Sequence, residues 1–198
     1  MVPLRLVKQT YIPCIIANDA AKGDEARPCY TGTGENFQAR AKFAVDWIEN
    51  NLAQAETFWA FGAGTDEAHA AGPTLAQFCA KTLLALRPGS ETLVSDDRKE
   101  FYGTYEEIVR VVDLTARRFQ PRTVKFVFFT QKRHMWRVQL IWWLFFETEW
   151  GKATFVVTPQ TFELSLVREV VAMGKVLGIY AGWVKARYET PYPKREAA

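Results

Sequence analysis

The chain alternates two patterns with a regularity that leaves few folds open. Short β-rich runs at residues 12–17, 57–61, 91–94, 124–130 and 153–158 are bounded by Gly, Pro, Asn or Asp, and segments of helical character fill 36–52, 74–86, 104–119, 133–147 and 162–178. Parallel strands need crossover connections, and helices usually supply them. The run Lys125-Phe-Val-Phe-Phe-Thr130 is apolar at successive rather than alternate positions, as in a strand covered on both faces. These features predict a three-layer α/β domain with a mainly parallel sheet of about five strands and helices on both faces. Between residues 104 and 119, Ile108, Val111, Val112 and Leu114 recur at helical spacing, with Glu106, Glu107, Arg110, Arg117 and Arg118 as the expected charged face.

Composition narrows the class further. With 48% hydrophobic and 24% charged residues, 12 Gly and 9 Pro among 198 residues, collagen-like, low-complexity and disordered chains are excluded. The expectation is one domain over 1–189 with a flexible tail at 190–198. A net charge of +3 gives no argument for nucleic acid as a partner. Cys14, Cys29 and Cys79 are odd in number and form no CxxC pair, so neither a disulfide framework nor a zinc knuckle is expected, and a reducing compartment fits. The opening residues carry Arg5 and Lys8 but are broken by Pro3, Gln9, Thr10 and Pro13, unlike a signal peptide. The most apolar run, 140–146, is far short of the ~20 residues that cross a bilayer. No membrane span is expected, and the cytoplasm is the expected location.

In an open α/β sheet, ligands bind outside the carboxyl ends of the strands. The five strand ends here are polar: Asn18-Asp19, Gly62-Ala-Gly64-Thr-Asp-Glu67, Ser95-Asp96-Asp97, Thr130-Gln-Lys-Arg-His134 and Thr158-Pro-Gln-Thr161. The Gly62/Gly64 turn would let backbone N–H groups approach a phosphate or carboxylate, or would simply be a tight strand-to-helix turn. It lacks the third glycine of a dinucleotide fingerprint and the Lys-Ser/Thr of a P-loop. The fourth end joins a buried strand to a helix N-terminus bearing Lys132, Arg133, His134 and Arg137, an electropositive place suited to an anionic group or a solvated basic helix start. Asp19, Glu67, Asp96 and Asp97 are candidate cation ligands or general bases, with helix capping as the alternative. The two histidines stand in no metal-binding spacing, and no GxSxG elbow is present. Trp136, Trp142, Trp143, Phe145 and Phe146 surround most of one helix. Such a helix is buried on both faces, either inside the chain or in a homodimer.

The stretch 58–146 resembles the YdcF/SanA/ElyC-like superfamily, also called domain of unknown function 218. The resemblance rests on the glycine turn ending in Glu67, on Asp96-Asp97 leading to Thr104-Tyr-Glu106-Glu107, and on Thr130-Gln-Lys-Arg-His134-Met-Trp-Arg137. It implies a bacterial Rossmann-like domain that binds a nucleotide-like ligand such as S-adenosylmethionine, in a family linked to envelope metabolism. Two positions depart from the family pattern: Asn18-Asp19 replaces a glycine-rich turn, and Glu107 stands where the family has Asn.

Three functional readings follow. The first is a pocket for a small anionic or nucleotide-like metabolite, with Asn18, Asp19, Gly62, Gly64, Glu67, Asp96, Thr104, Glu106, Thr130, Arg133 and Arg137 as binding residues. His134 and Asp97 are its candidate catalytic groups. The second is phosphoryl hydrolysis or transfer assisted by a divalent cation on Asp19, Asp96 or Asp97, with Arg137 neutralising charge. The third is an oligomeric interaction protein built on the Trp-rich helix, its pocket non-functional.

Overall fold

The computed structural model describes residues 9–17, 35–64, 73–96, 103–159 and 166–185. Five strands, β1 (Thr10–Ile15), β2 (Glu56–Phe61), β3 (Glu91–Val94), β4 (Val124–Thr130) and β5 (Thr154–Val157), form one sheet in the order β3-β2-β1-β4-β5. Every pairing is parallel, as the β-then-α alternation predicts.

The helices are α1 (Glu35–Asn51), α2 (Leu75–Leu86), α3 (Thr104–Ala116), α4 (Lys132–Phe145), α5 (Glu147–Trp150) and α6 (Leu166–Tyr180). One core joins α1 and α2 to Ile15, Trp59, Phe61, Val127 and Phe129, and the other joins α3, α4, α5 and α6 to Ile12, Phe58, Phe126 and Phe128. Successive residues of β4 therefore serve opposite cores, which is why its sequence is apolar without alternation. Helix α6 packs mainly on α4.

Strand β1 begins two residues earlier than the sequence pattern indicates, and it carries Pro13 at the centre of the sheet. Its pairing with β2 skips Ile12 and Pro13, while pairing with β4 is unbroken. Proline has no N–H to give a ladder. A capping box starts α2: the Thr74 hydroxyl accepts from the Gln77 N–H, and the Gln77 side chain accepts from the Thr74 N–H.

Two expectations need correction. The helix anticipated over 133–147 stops at Phe145 and a separate turn, α5, follows. The Trp142 indole N–H donates to the Gly151 carbonyl at 2.9 Å, and buried Trp150 meets the Phe126 ring edge-on, so two specific contacts turn the chain back where periodicity alone would continue it. Within the chain, α4 is also not buried all round, because Trp136 and Trp143 are about half exposed (51% and 49%) while Trp142 is buried. No helix among the described residues is long and apolar enough to cross a membrane. The expected tail at 190–198 lies outside the described residues.

Candidate functional site

The strand order reverses between β1 and β4: the chain moves outward from β1 through β2 to β3, then crosses to β4 on the other side. In such sheets the crevice lies at the carboxyl ends of the two diverging strands. Past the end of β1, the Ile16 N–H donates to Phe129 O, and past β5 the Thr158 N–H donates to Thr130 O. Polar side chains crowd this edge. Thr130, Gln131 and Thr158 are almost fully buried, yet Thr130 Oγ1, both polar atoms of the Gln131 amide and Thr158 Oγ1 have no hydrogen-bond partner among the described residues. Buried polar groups are rarely left so.

Glu107, in the first turn of α3, reaches the same place. Its Oε1 accepts the Ala17 N–H at 2.7 Å, tying α3 to the end of β1, while Oε2 is buried without a partner. Burial pushes its carboxyl up to about 7, against the Ala17 N–H and the charges of Arg40, Arg110 and Arg137. Arg40 comes from α1 on the opposite face of the sheet and is 1% exposed. Three guanidiniums thus act on one carboxylate.

Behind Glu107 lies a second buried set. Thr104 Oγ1 is 3.0 Å from His134 Nε2, His134 Nδ1 is 2.6 Å from Arg137 Nη2 and 3.5 Å from Glu169 Oε1, and Arg137 Nη2 is 3.3 Å from Glu169 Oε1. Burial lowers the His134 pKa to about 4, so the ring is neutral near pH 7. Burial alone would raise Glu169, but the charge of the Arg137 guanidinium, 3.3 Å away, helps to hold it below the ordinary carboxylate value.

Among the residues singled out from sequence, Thr104, Glu106, Thr130, His134 and Arg137 are brought together around the starts of α3 and α4. Arg133 is half-buried beside them, and Asp96 is exposed after β3. Gly62 has a packing reason of its own: a Cβ there would collide with the Glu107 carbonyl oxygen. Gly64 is buried just beyond it. Asn18, Asp19, Glu67 and Asp97 lie outside the described residues. The charged face expected on α3 is corrected in its first half, since Glu106, Glu107 and Arg110 are all buried. Only the far end follows the pattern, where exposed Arg118 pairs with Glu91 at 2.8 Å and lies over the Phe58 ring. The first turns of α3 abut the strand ends, where the cluster gathers.

Sequence reasoning passed over Arg40 and Glu169. Both had a readable signal. Arg40 falls on the stripe formed by Phe37, Ala41, Ala44 and Ile48, and Glu169 on the one formed by Val176 and Ile179, so each is a charge on a helix's buried face. No group of three or more His, Cys, Asp or Glu is placed to hold a metal ion among the described residues. Cys14 and Cys79 are buried and free, with thiol pKa values raised well above the ordinary one by burial, the opposite of an activated nucleophile. No protein-family model, curated protein or solved structure matches the chain.

Proposed function

We propose that the protein binds a small anionic or nucleotide-like metabolite in the crevice between the carboxyl ends of β1 and β4. The observation that carries this reading is the set of orphaned polar atoms on Glu107, Thr130 and Gln131 at the switch point and on Thr158 at the end of the adjoining β5, which a ligand's own donors and acceptors would satisfy. Charge favours an anion. Arg40, Arg110 and Arg137 stand against Glu107 and Glu169 there, and Glu107 is half-neutralised near pH 7. The resemblance to the YdcF/SanA/ElyC-like superfamily points the same way and makes S-adenosylmethionine a first probe. His134 serves this site as a neutral donor that fixes Thr104, and the buried free thiols of Cys14 and Cys79 suit a reducing, cytoplasmic setting.

The test is a thermal-shift panel of inorganic phosphate, nucleotides, sugar phosphates, S-adenosylmethionine and divalent cations on the wild type and Gln131→Met. A ligand at 100 times its Kd adds ~2.7 kcal/mol of stability. The variant should melt no lower than the wild type, because it discards an unsatisfied amide, and should lose the ligand's shift. A panel with no stabilising anion overturns the reading, as does a shift that Gln131→Met leaves intact. Stabilisation by divalent cations alone would favour the metal-assisted phosphoryl chemistry instead.

A second reading, a homodimer through the Trp-rich helix, is favoured by the exposure of Trp136 and Trp143 two turns apart on α4. Light scattering of the wild type and Trp136→Glu tests it: a dimer that becomes a monomer supports it, and a wild-type monomer ends it.

A further inference from the structure

A cavity of ≈ 110 Å³ opens between the start of α3 and α6; it shares Thr104, Glu106 and Arg137 with the cluster described above and reaches none of the orphaned strand-end groups Thr130, Gln131 and Thr158. Its lining carries both signs of charge. Glu106 turns its carboxylate toward Gly103, close enough that a Cβ on Gly103 would lie 3.2 Å from Oε2. Glu106 is 2% exposed and makes no hydrogen bond or ion pair among the described residues. Arg137 and the exposed Lys175 carry positive charge into the same lining, and buried Val176 and Ile179 supply an apolar wall.

We propose that this cavity binds a small aliphatic α-amino acid, its ammonium on Glu106, its carboxylate toward Arg137 and Lys175, and its side chain against Val176 and Ile179. An unpaired buried carboxylate is costly, and an ammonium donor is the partner it lacks. The two signs of charge in the lining discriminate by repulsion: a simple amine meets Arg137 and Lys175, and a simple carboxylate meets Glu106. Size sets a limit. An engineered cavity of roughly 150 Å³ holds benzene, which has six heavy atoms, so alanine, also of six, is about the largest amino acid that this smaller cavity of ≈ 110 Å³ takes. The assignment does not rest on the strand-end reading.

Isothermal titration of the full chain with L-alanine, propionate and ethylamine tests it. L-alanine should bind, and the two single-charge probes should bind at least about tenfold more weakly. Glu106→Gln should cost L-alanine about tenfold or more in affinity, with circular dichroism confirming the fold. Lys175→Met, a change at an exposed position, should also weaken it. Gln131→Met should leave it unchanged, so the cavity and the strand-end crevice fail or stand separately. Propionate binding as tightly as L-alanine, no binding of L-alanine, or unaltered affinity in Glu106→Gln overturns the proposal. So does loss of binding in Gln131→Met, which would move the amino acid to the crevice.

Discussion

Arg137 Nη2 lies 2.6 Å from His134 Nδ1, and that contact fixes which ring nitrogen carries the proton. A guanidinium can only donate, so Nδ1 accepts and the hydrogen sits on Nε2. Nε2–H then donates to Thr104 Oγ1 at 3.0 Å. Thr104, His134 and Glu169 have the outline of a nucleophile, base and orienting acid, but a general base would need a free Nε2 and a donating Nδ1. Here both are reversed. His134 holds the threonine hydroxyl in place and takes no proton from it.

The first prediction follows from that tautomer. Nitrogen-15 NMR should find His134 in the Nε2–H form and neutral throughout pH 5 to 8, since its pKa is lowered to about 4 by burial. The unfolded chain's histidine binds a proton near 6.5 and the folded one does not, so this group contributes stability that is complete above about 6.5 and lost as pH falls toward about 4. A protonated Nδ1 near pH 7 would sink the assignment and reopen general-base chemistry.

Glu107 acts with the opposite sign. Burial raises its pKa from 4.5 to about 7, so in that interval the folded state holds a proton that the unfolded state has released. Its contribution to stability therefore declines as pH rises from about 4.5 to about 7 and is level above. Glu107→Gln keeps an acceptor for the Ala17 N–H and removes the titration. Urea melts across pH should show the variant gaining on the wild type through that window, and parallel curves would rule the coupling out.

Much of the architecture was legible because it depends on local patterns. The unbroken apolar run of β4 reflects two cores, and the helical segment read over 74–86 is α2 with its N-cap at Thr74. The order of the strands was not legible, since each crossover could pass to either side of the sheet. The site was half legible. Thr104, Thr130, His134 and Arg137 stand beside strand ends, where chemistry is sought, whereas Arg40 approaches from another helix and meets Glu107 only through tertiary packing. Glu106, Glu107 and Arg110 read as a solvated face because charge usually means solvent, yet they are buried where the helix start abuts the sheet.

Gly62 and Gly174 make a paired test. Gly62 lets β2 run against the Glu107 carbonyl, whereas nothing lies within 4 Å of a Cβ placed on Gly174 in α6. Gly62→Ala should lose ~1–3 kcal/mol through overpacking, and Gly174→Ala should gain ~0.5–1 kcal/mol from helix propensity. Chemical denaturation measures both. If Gly62→Ala proves as stable as the wild type, packing is not why a glycine stands there.

The last prediction concerns Arg40, whose charge holds Glu107 down against burial. With Arg40→Met, one of three opposing guanidiniums is gone and the Glu107 carboxyl must move above its wild-type value of about 7. The cost of the substitution should then be greater at about pH 8, where the wild-type carboxylate is ionised and draws on Arg40, than at about pH 5, where it is protonated. In a Glu107→Gln background there is no charge to lose, so the cost should be the same at both pH values and the double variant should be more stable than additivity predicts at the higher one. Such a cycle separates the electrostatic role of Arg40 from its packing on Phe37, whose ring centre lies 5.9 Å from the guanidinium carbon. A pH-independent cost in the wild-type background would mean that Arg40 acts by packing alone, and the positive surplus that favours an anion at the switch point would lose one of its three members.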